Sequence, residues 1–136
     1  MSLENYINNI ILSTKLQYIH KYQYSLKFID FICDTQYFLI CIYANYLFHN
    51  IDDFLYELNI VHQYYNKPIL GIYMTFIKIS NQDEKKINNI NKKYNIFNIV
   101  NIYNSNINNL LNLFIRTLYS YNIYCYDNSN DCIMLL

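Results

Sequence analysis

Glycine is almost missing: Gly71 is the only one in 136 residues, beside a single proline, Pro68, a single alanine, Ala44, a single arginine, Arg116, and no tryptophan. One glycine excludes every loop that cradles phosphate in several glycines, because only glycine lets consecutive backbone N–H groups approach the anion that closely. Neither a P-loop nor a dinucleotide fingerprint can be built here. The scarce residues have GC-rich codons, whereas the abundant ones (22 Asn, 23 Ile and 17 Tyr) have AT-rich codons, as an AT-biased genome produces. Net charge is also lacking. Ten basic and ten acidic side chains sum to zero, so no global field draws the chain to nucleic acid or anionic lipid. The four cysteines, Cys33, Cys41, Cys125 and Cys132, include no CxxC pair and read as reduced, mostly buried thiols of a cytoplasmic protein.

What remains is apolar. Hydrophobic residues make up 54%, enough to bury a core and too many for a disordered chain. The nearest approach to a membrane span, 28–48, is interrupted by Asp30, Asp34, Gln36 and Asn45, and reads as a buried strand pair instead.

Apolar spacing orders the elements. Leu3, Tyr6, Ile7, Ile10 and Ile11 predict an amphipathic helix over 3–13 with Ser2 as N-cap. Alternation at 16–22, then Leu26, Phe28, Phe31 and Ile32, predicts a hairpin. The run 38–44 predicts a strand covered on both faces in a parallel sheet. Phe48, Ile51, Phe54, Leu55, Leu58 and Val61 mark a helix over 50–65, with Asp52, Asp53 and Glu57 on its other side. Lys67-Pro68 ends it, and 69–74 reads as a second buried strand. Polar residues 80–93 predict a loop with a short exposed helix around 83–92; a third strand follows over 94–103, then a long helix over 107–118. A terminal hairpin is expected across 123–136, closed by 127–131. The alternation argues an α/β fold of three layers, α/β/α, with a mostly parallel sheet: one domain over 1–121 and a tail over 122–136.

Chemistry is sparse along the chain. His20, His49 and His62 have no metal-ligand spacing. Asp52-Asp53 suits the start of a helix, where carboxylates complement the macrodipole. Lys85-Lys86 and Lys92-Lys93 form a small basic patch that reads as a solvated face. No catalytic residue is nominated, no cofactor or metal is called for, and no nucleic-acid partner is expected.

Several local patterns nonetheless resemble Rab-type small GTPases of the Ras superfamily. The segment 48–58, FHNIDDFLYEL, resembles their F-x-N-I-x-x-W-L-x-E-L helix, and 38–43 their fourth strand ending in tyrosine. Lys67-Pro68-Ile69-Leu70 resembles the fifth strand; Asn106-Ile107 with Leu111 and Phe114 is similar to the start of the last helix. Leu26 to Thr35 resembles the third strand, ending in Asp34-Thr35 where the family begins its D-x-x-G motif, and Ser2-Leu3 falls where the P-loop closes. The resemblance implies a truncated P-loop GTPase-like topology in which Asp34 and Thr35 are vestiges of a nucleotide site. Gln36 and Tyr37 replace the small residue and glycine of D-x-x-G, and too few residues separate Asp34 from Tyr43 for a switch II helix. Met74-Thr75-Phe76-Ile77 stands for N-K-x-D, and Val100-Asn101-Ile102 for S-A-K, so the guanine-binding aspartate is lost. Cys132 lies one place off a prenylation box, so no intact lipidation motif is expected.

Three readings follow. The first is a non-catalytic pseudo-GTPase domain, an interaction or scaffold module in intracellular membrane traffic. The second is an incomplete version of an active Rab-like GTPase that binds GTP and Mg²⁺ and hydrolyses GTP. The third is a lineage-specific α/β assembly subunit. A protein partner or self-association is expected, since a sheet lacking its first strand exposes an edge.

Overall fold

A computed structural model describes residues 2–19, 26–44 and 51–125. Its elements are α1 (Leu3–Leu12), β1 (Gln17–Ile19), β2 (Phe31–Asp34), β3 (Leu39–Tyr43), α2 (Ile51–Tyr65), β4 (Ile69–Thr75), α3 (Asn81–Lys93), β5 (Phe97–Tyr103) and α4 (Ile107–Ser120). The five strands lie side by side in sequence order. β1 pairs antiparallel with β2 (Tyr18 opposite Cys33), and β2 antiparallel with β3 (Ile32 opposite Cys41). β3, β4 and β5 pair in parallel, with Tyr43 opposite Tyr73 and Tyr73 opposite Asn101. The sheet is therefore mixed, and parallel only from β3 to β5.

Strand alternation divides the core in two. Ile40, Ile42, Leu70, Ile72 and Met74 meet α1 and α4 through Ile7, Ile11, Leu111, Phe114 and Ile115. Leu39, Cys41, Tyr43, Ile69 and Tyr73 meet α2 and α3 through Phe54, Leu58, Val61 and Ile87. Every residue of β3 and β4 is buried, which explains why their sequences show no polar alternation.

Four expectations change. The strand predicted at 26–33 starts only at Phe31, because the backbone at 27–29 turns to α2 instead of to a neighbouring strand. The strand at 38–44 is buried on both faces, but one of its neighbours, β2, runs antiparallel. The polar stretch 80–93 is a full helix of 13 residues. Ser80 caps it by accepting from Asp83 N at 3.1 Å, Asp83 and Glu84 occupy its positive end, and Lys92 and Lys93 its negative end. With only Ile87 buried, α3 draws on caps and charge more than on packing, which is why an apolar stripe does not reveal it. The third strand begins at Phe97, later than its apolar run suggests. The expected terminal hairpin lies largely outside the described residues.

Without glycine, other residues take the left-handed backbone positions. Asn66 follows α2 at φ 51° and Asn122 follows α4 at φ 64°, where glycine is the usual helix terminator. At Asn122 the chain closes with Asn122 N donating to Tyr119 O at 2.9 Å and Ile123 N to Leu118 O at 2.9 Å, a Schellman ending. Gln36, at φ 86°, lacks the short side chain that makes asparagine tolerable there. Gln36→Gly is therefore expected to raise the unfolding free energy by about 0.5–1 kcal/mol, the relief of left-handed strain less the added chain entropy. Urea denaturation checks this; a loss of stability would show that the Gln36 side chain itself holds the turn.

Candidate functional site

The turn joining β2 to β3 is closed by its own first residues. Asp34 Oδ1 accepts from Gln36 N at 2.8 Å; Thr35 donates its hydroxyl to Phe38 O at 2.8 Å and accepts from Phe38 N at 3.0 Å. Lys67, just before β4, lays its ammonium on the Asp34 carboxylate at 2.9 and 3.1 Å. Partial burial raises the Asp34 pKa, but the hydrogen bonds from Lys67 and Gln36 and the Lys67 charge outweigh it and hold the carboxyl below its usual range. The pair is partly exposed and contributes about 1 kcal/mol or less.

This turn forms one wall of an open cleft of about 780 Å³, whose other walls are 15–17 before and within β1, Lys67, and 121–124 after α4. The cleft is rich in aromatic rings. Phe38 and Tyr121 lie 5.9 Å apart, and Asn98 holds the Tyr121 hydroxyl through its Nδ2. Tyr124 packs on Tyr119 at 4.9 Å, while Tyr37 projects from the turn with 79% of its surface exposed. Asp34 and Thr35, which the resemblance implies as vestiges of a nucleotide site, sit together at the cleft, and their polar atoms are used within the turn and by Lys67. Two of the left-handed residues, Gln36 and Asn122, line the same cleft.

The other candidates disperse. Asp52 is paired with Lys86 at 3.0 Å, which takes one cation out of the expected basic patch. His62 places Nδ1 3.1 Å from Lys67 O and its ring against Phe97, tying the end of α2 to the chain before β4. His20 and His49 lie outside the described residues. Thr75 and Asn101, from the segments aligned with the guanine motifs, bond to each other: Asn101 Nδ2 donates to Tyr73 O at 2.8 Å and to Thr75 Oγ1 at 3.1 Å. They bind the C-terminal ends of β4 and β5 together. Cys33 and Cys41 are fully buried; burial pushes the Cys33 thiol up to about 12, and Cys41 is raised further by the same cause with Cys33 adding to it. Such thiols are inert at neutral pH. Among the described residues no three His, Cys, Asp or Glu side chains gather as metal ligands, and no helix is long and apolar enough to cross a membrane.

At the other end of the strands, Tyr43 and Tyr73 stack with centroids 4.4 Å apart and 11° between planes, with Phe54 edge-on to Tyr43 at 6.1 Å. Burial, then the charge of Asp30, pushes Tyr43 up to about 12. Asp30 itself accepts from Ala44 N at 2.6 Å.

Two important residues escape the sequence reading. Glu57, assigned to the solvent side of its helix, is only 7% exposed and accepts from the backbone N–H of Lys27, Phe28 and Ile29 at 2.8–3.1 Å. Its position, three residues after Phe54 and four before Val61, puts it inside the apolar stripe, a signal available in the sequence. Asn91, one of many asparagines in 88–109, pairs with the backbone of Ile99 through both ends of its amide, at 2.8 and 2.9 Å. No protein-family model matches the chain, and neither the curated proteins nor the solved structures include a match to it.

Proposed function

We propose that this chain is a non-catalytic interaction module that receives a segment of a protein partner in the cleft beside the β2–β3 turn. One observation carries this reading. The polar groups that could do chemistry there, Asp34, Thr35 and Lys67, are spent on bonds within the chain, while the aromatic rings around them, Tyr37 above all, face outward. Exposed tyrosines offer large contact area at small conformational cost, which suits recognition of polypeptide.

The same reading takes the fold as three α/β/α layers derived from a Rab-like domain and places it in the cytoplasm, in membrane traffic. The sequence patterns and the alternation from β3 to α4 support that descent. The β2–β3 turn counts against it, since residues 35–38 hold no switch II helix.

Selection of peptides from a random display library on the immobilised chain tests the function. Sequences that bind the wild type and lose about tenfold or more in affinity on Tyr37→Ser support it; equal retention by the variant removes the cleft from the proposal. Tight, Mg²⁺-dependent binding of GTP or GDP in a calorimetric titration would overturn the non-catalytic reading altogether.

A further inference from the structure

The hydrogen bonds of β5 alternate in direction. Ile69 N donates to Ile96 O at 2.7 Å and Asn104 N to Thr75 O at 3.2 Å, so the backbone groups of even-numbered residues face β4. Those of Ile99, Asn101 and Tyr103 face away from it, and among the described residues β5 is an edge strand. Edges in stable proteins are blunted by charge, proline or short length. The opposite edge, β1, has three residues; β5 has seven, FNIVNIY, without charge, proline or glycine. Beside it, on the side of α4, runs a groove of about 560 Å³ to which Leu113, Thr117, Ser120 and Tyr121 contribute, again without charge.

At the start of this edge Phe97 N donates to Tyr94 O at 3.3 Å, and a side chain blunts its middle. The Asn91 side chain accepts from Ile99 N at 2.8 Å and donates to Ile99 O at 2.9 Å, the same two bonds that a neighbouring strand would make. We propose that the β5 edge is a self-association surface for a second copy of this chain, and that Asn91 is the lock that keeps it closed. The groove beside this edge shares Tyr121 with the cleft at the β2–β3 turn, whereas the strand edge from Ile99 to Tyr103 is not part of that cleft. The occupant follows from the edge's own chemistry. An antiparallel two-fold pairing centred on Asn101 sets Ile99 of each copy against Tyr103 of the other, brings no like charges together, and lays uncharged grooves alongside. With Asn91 in place only the Asn101 pair can form, because both flanking pairs need the backbone of Ile99. Once Asn91 is released, all three pairs exchange their bonds.

Asn91→Ala tests the lock, read by sedimentation and by amide exchange from low to high micromolar protein. The wild type is expected to be monomeric at this edge, with the Ile99 amide protected at every concentration. In Asn91→Ala the Ile99 amide exchanges about tenfold faster in dilute solution, one hydrogen bond's worth. At high concentration the variant dimerises, and the amides of Ile99, Asn101 and Tyr103 become protected together. Adding Tyr103→Lys, a charge at the pairing edge, returns it to monomer. Should Asn91→Ala fail to fold, Asn91→Ser, which is uncharged and too short to reach both ends of the Ile99 backbone, is expected to dimerise by the same route. A folded Asn91→Ala or Asn91→Ser that stays monomeric at all concentrations overturns the proposal, as does a dimer indifferent to Tyr103→Lys.

Discussion

Replacing Glu57 with alanine is expected to lower the unfolding free energy by about 3 kcal/mol. The carboxylate on α2 is the acceptor for three successive N–H groups, those of Lys27 (2.9 Å to Oε2), Phe28 (2.8 Å) and Ile29 (3.1 Å). Alanine leaves all three without that acceptor in a partly buried region, at about 1 kcal/mol each. Leu26 and Ile29, both buried in the core on the α2 face, then lose the anchor that sets their approach to the helix. Glu57→Gln separates charge from shape. It keeps an oxygen where Oε1 receives three of the four close contacts, and turns the other terminus into a donor facing Lys27 N, so about 1–1.5 kcal/mol is expected. Urea denaturation of the three proteins gives the ordering, and amide exchange at Phe28 and Ile29 locates it. A cost below about 0.5 kcal/mol for Glu57→Ala would mean that solvent replaces the carboxylate and that the segment needs no anchor.

Gly71→Val is the second large effect, about 3 kcal/mol against stability. Gly71 lies in the middle of β4 on the face toward α2, with ordinary extended backbone, so its value is space and not conformational freedom. A Cβ there comes to 3.1 Å from Leu58 Cδ1, 3.4 Å from Ile99 Cγ1 and 3.5 Å from Phe54 Cε2. Alanine needs only a small shift of the Leu58 methyl and is expected to cost about 1 kcal/mol or less. Valine adds two methyls in the same space, although its strand propensity is better than glycine's by up to about 1 kcal/mol. The sign of the result therefore decides between packing and propensity. If packing governs, Leu58→Ala in the Gly71→Val background removes part of the clash, and the two changes couple by about 1 kcal/mol or more. Additive losses would show that the helix simply moves away from the sheet.

These two residues mark where reading the chain succeeds and where it stops. The helix over 51–65 was legible from Phe54, Leu58 and Val61, because a buried stripe must recur every three to four residues. The strands β3 and β4 were legible as apolar runs, since burial on both faces leaves no room for polar alternation. Glu57 stood in the stripe and was still assigned to solvent: its acceptor role depends on where 27–29 arrives, and that segment is remote in sequence. The helix at 81–93 was undersized for the opposite reason, because capping and end charges carry it and both are weak signals beside hydrophobic periodicity. The family resemblance points to Asp34 and Thr35 as vestiges of a nucleotide site. Their task in the turn, and the pairing of Asp34 with Lys67, emerges only when β2, β3 and β4 lie side by side.

By itself the sequence determined the α/β class, the order of most elements, the exclusion of glycine-built phosphate loops, and the need for a two-sided core. These follow from local spacing and composition, which act within a few residues. Only the tertiary structure decided that β3 pairs antiparallel with β2, that the single glycine makes room for α2, and that asparagines stand in for the missing glycines at the ends of α2 and α4. It also decided that one asparagine among 22 closes the edge of the sheet. Strand direction, close approach and edge pairing are relations between elements, and apolar spacing, which is set within one element, carries no record of them.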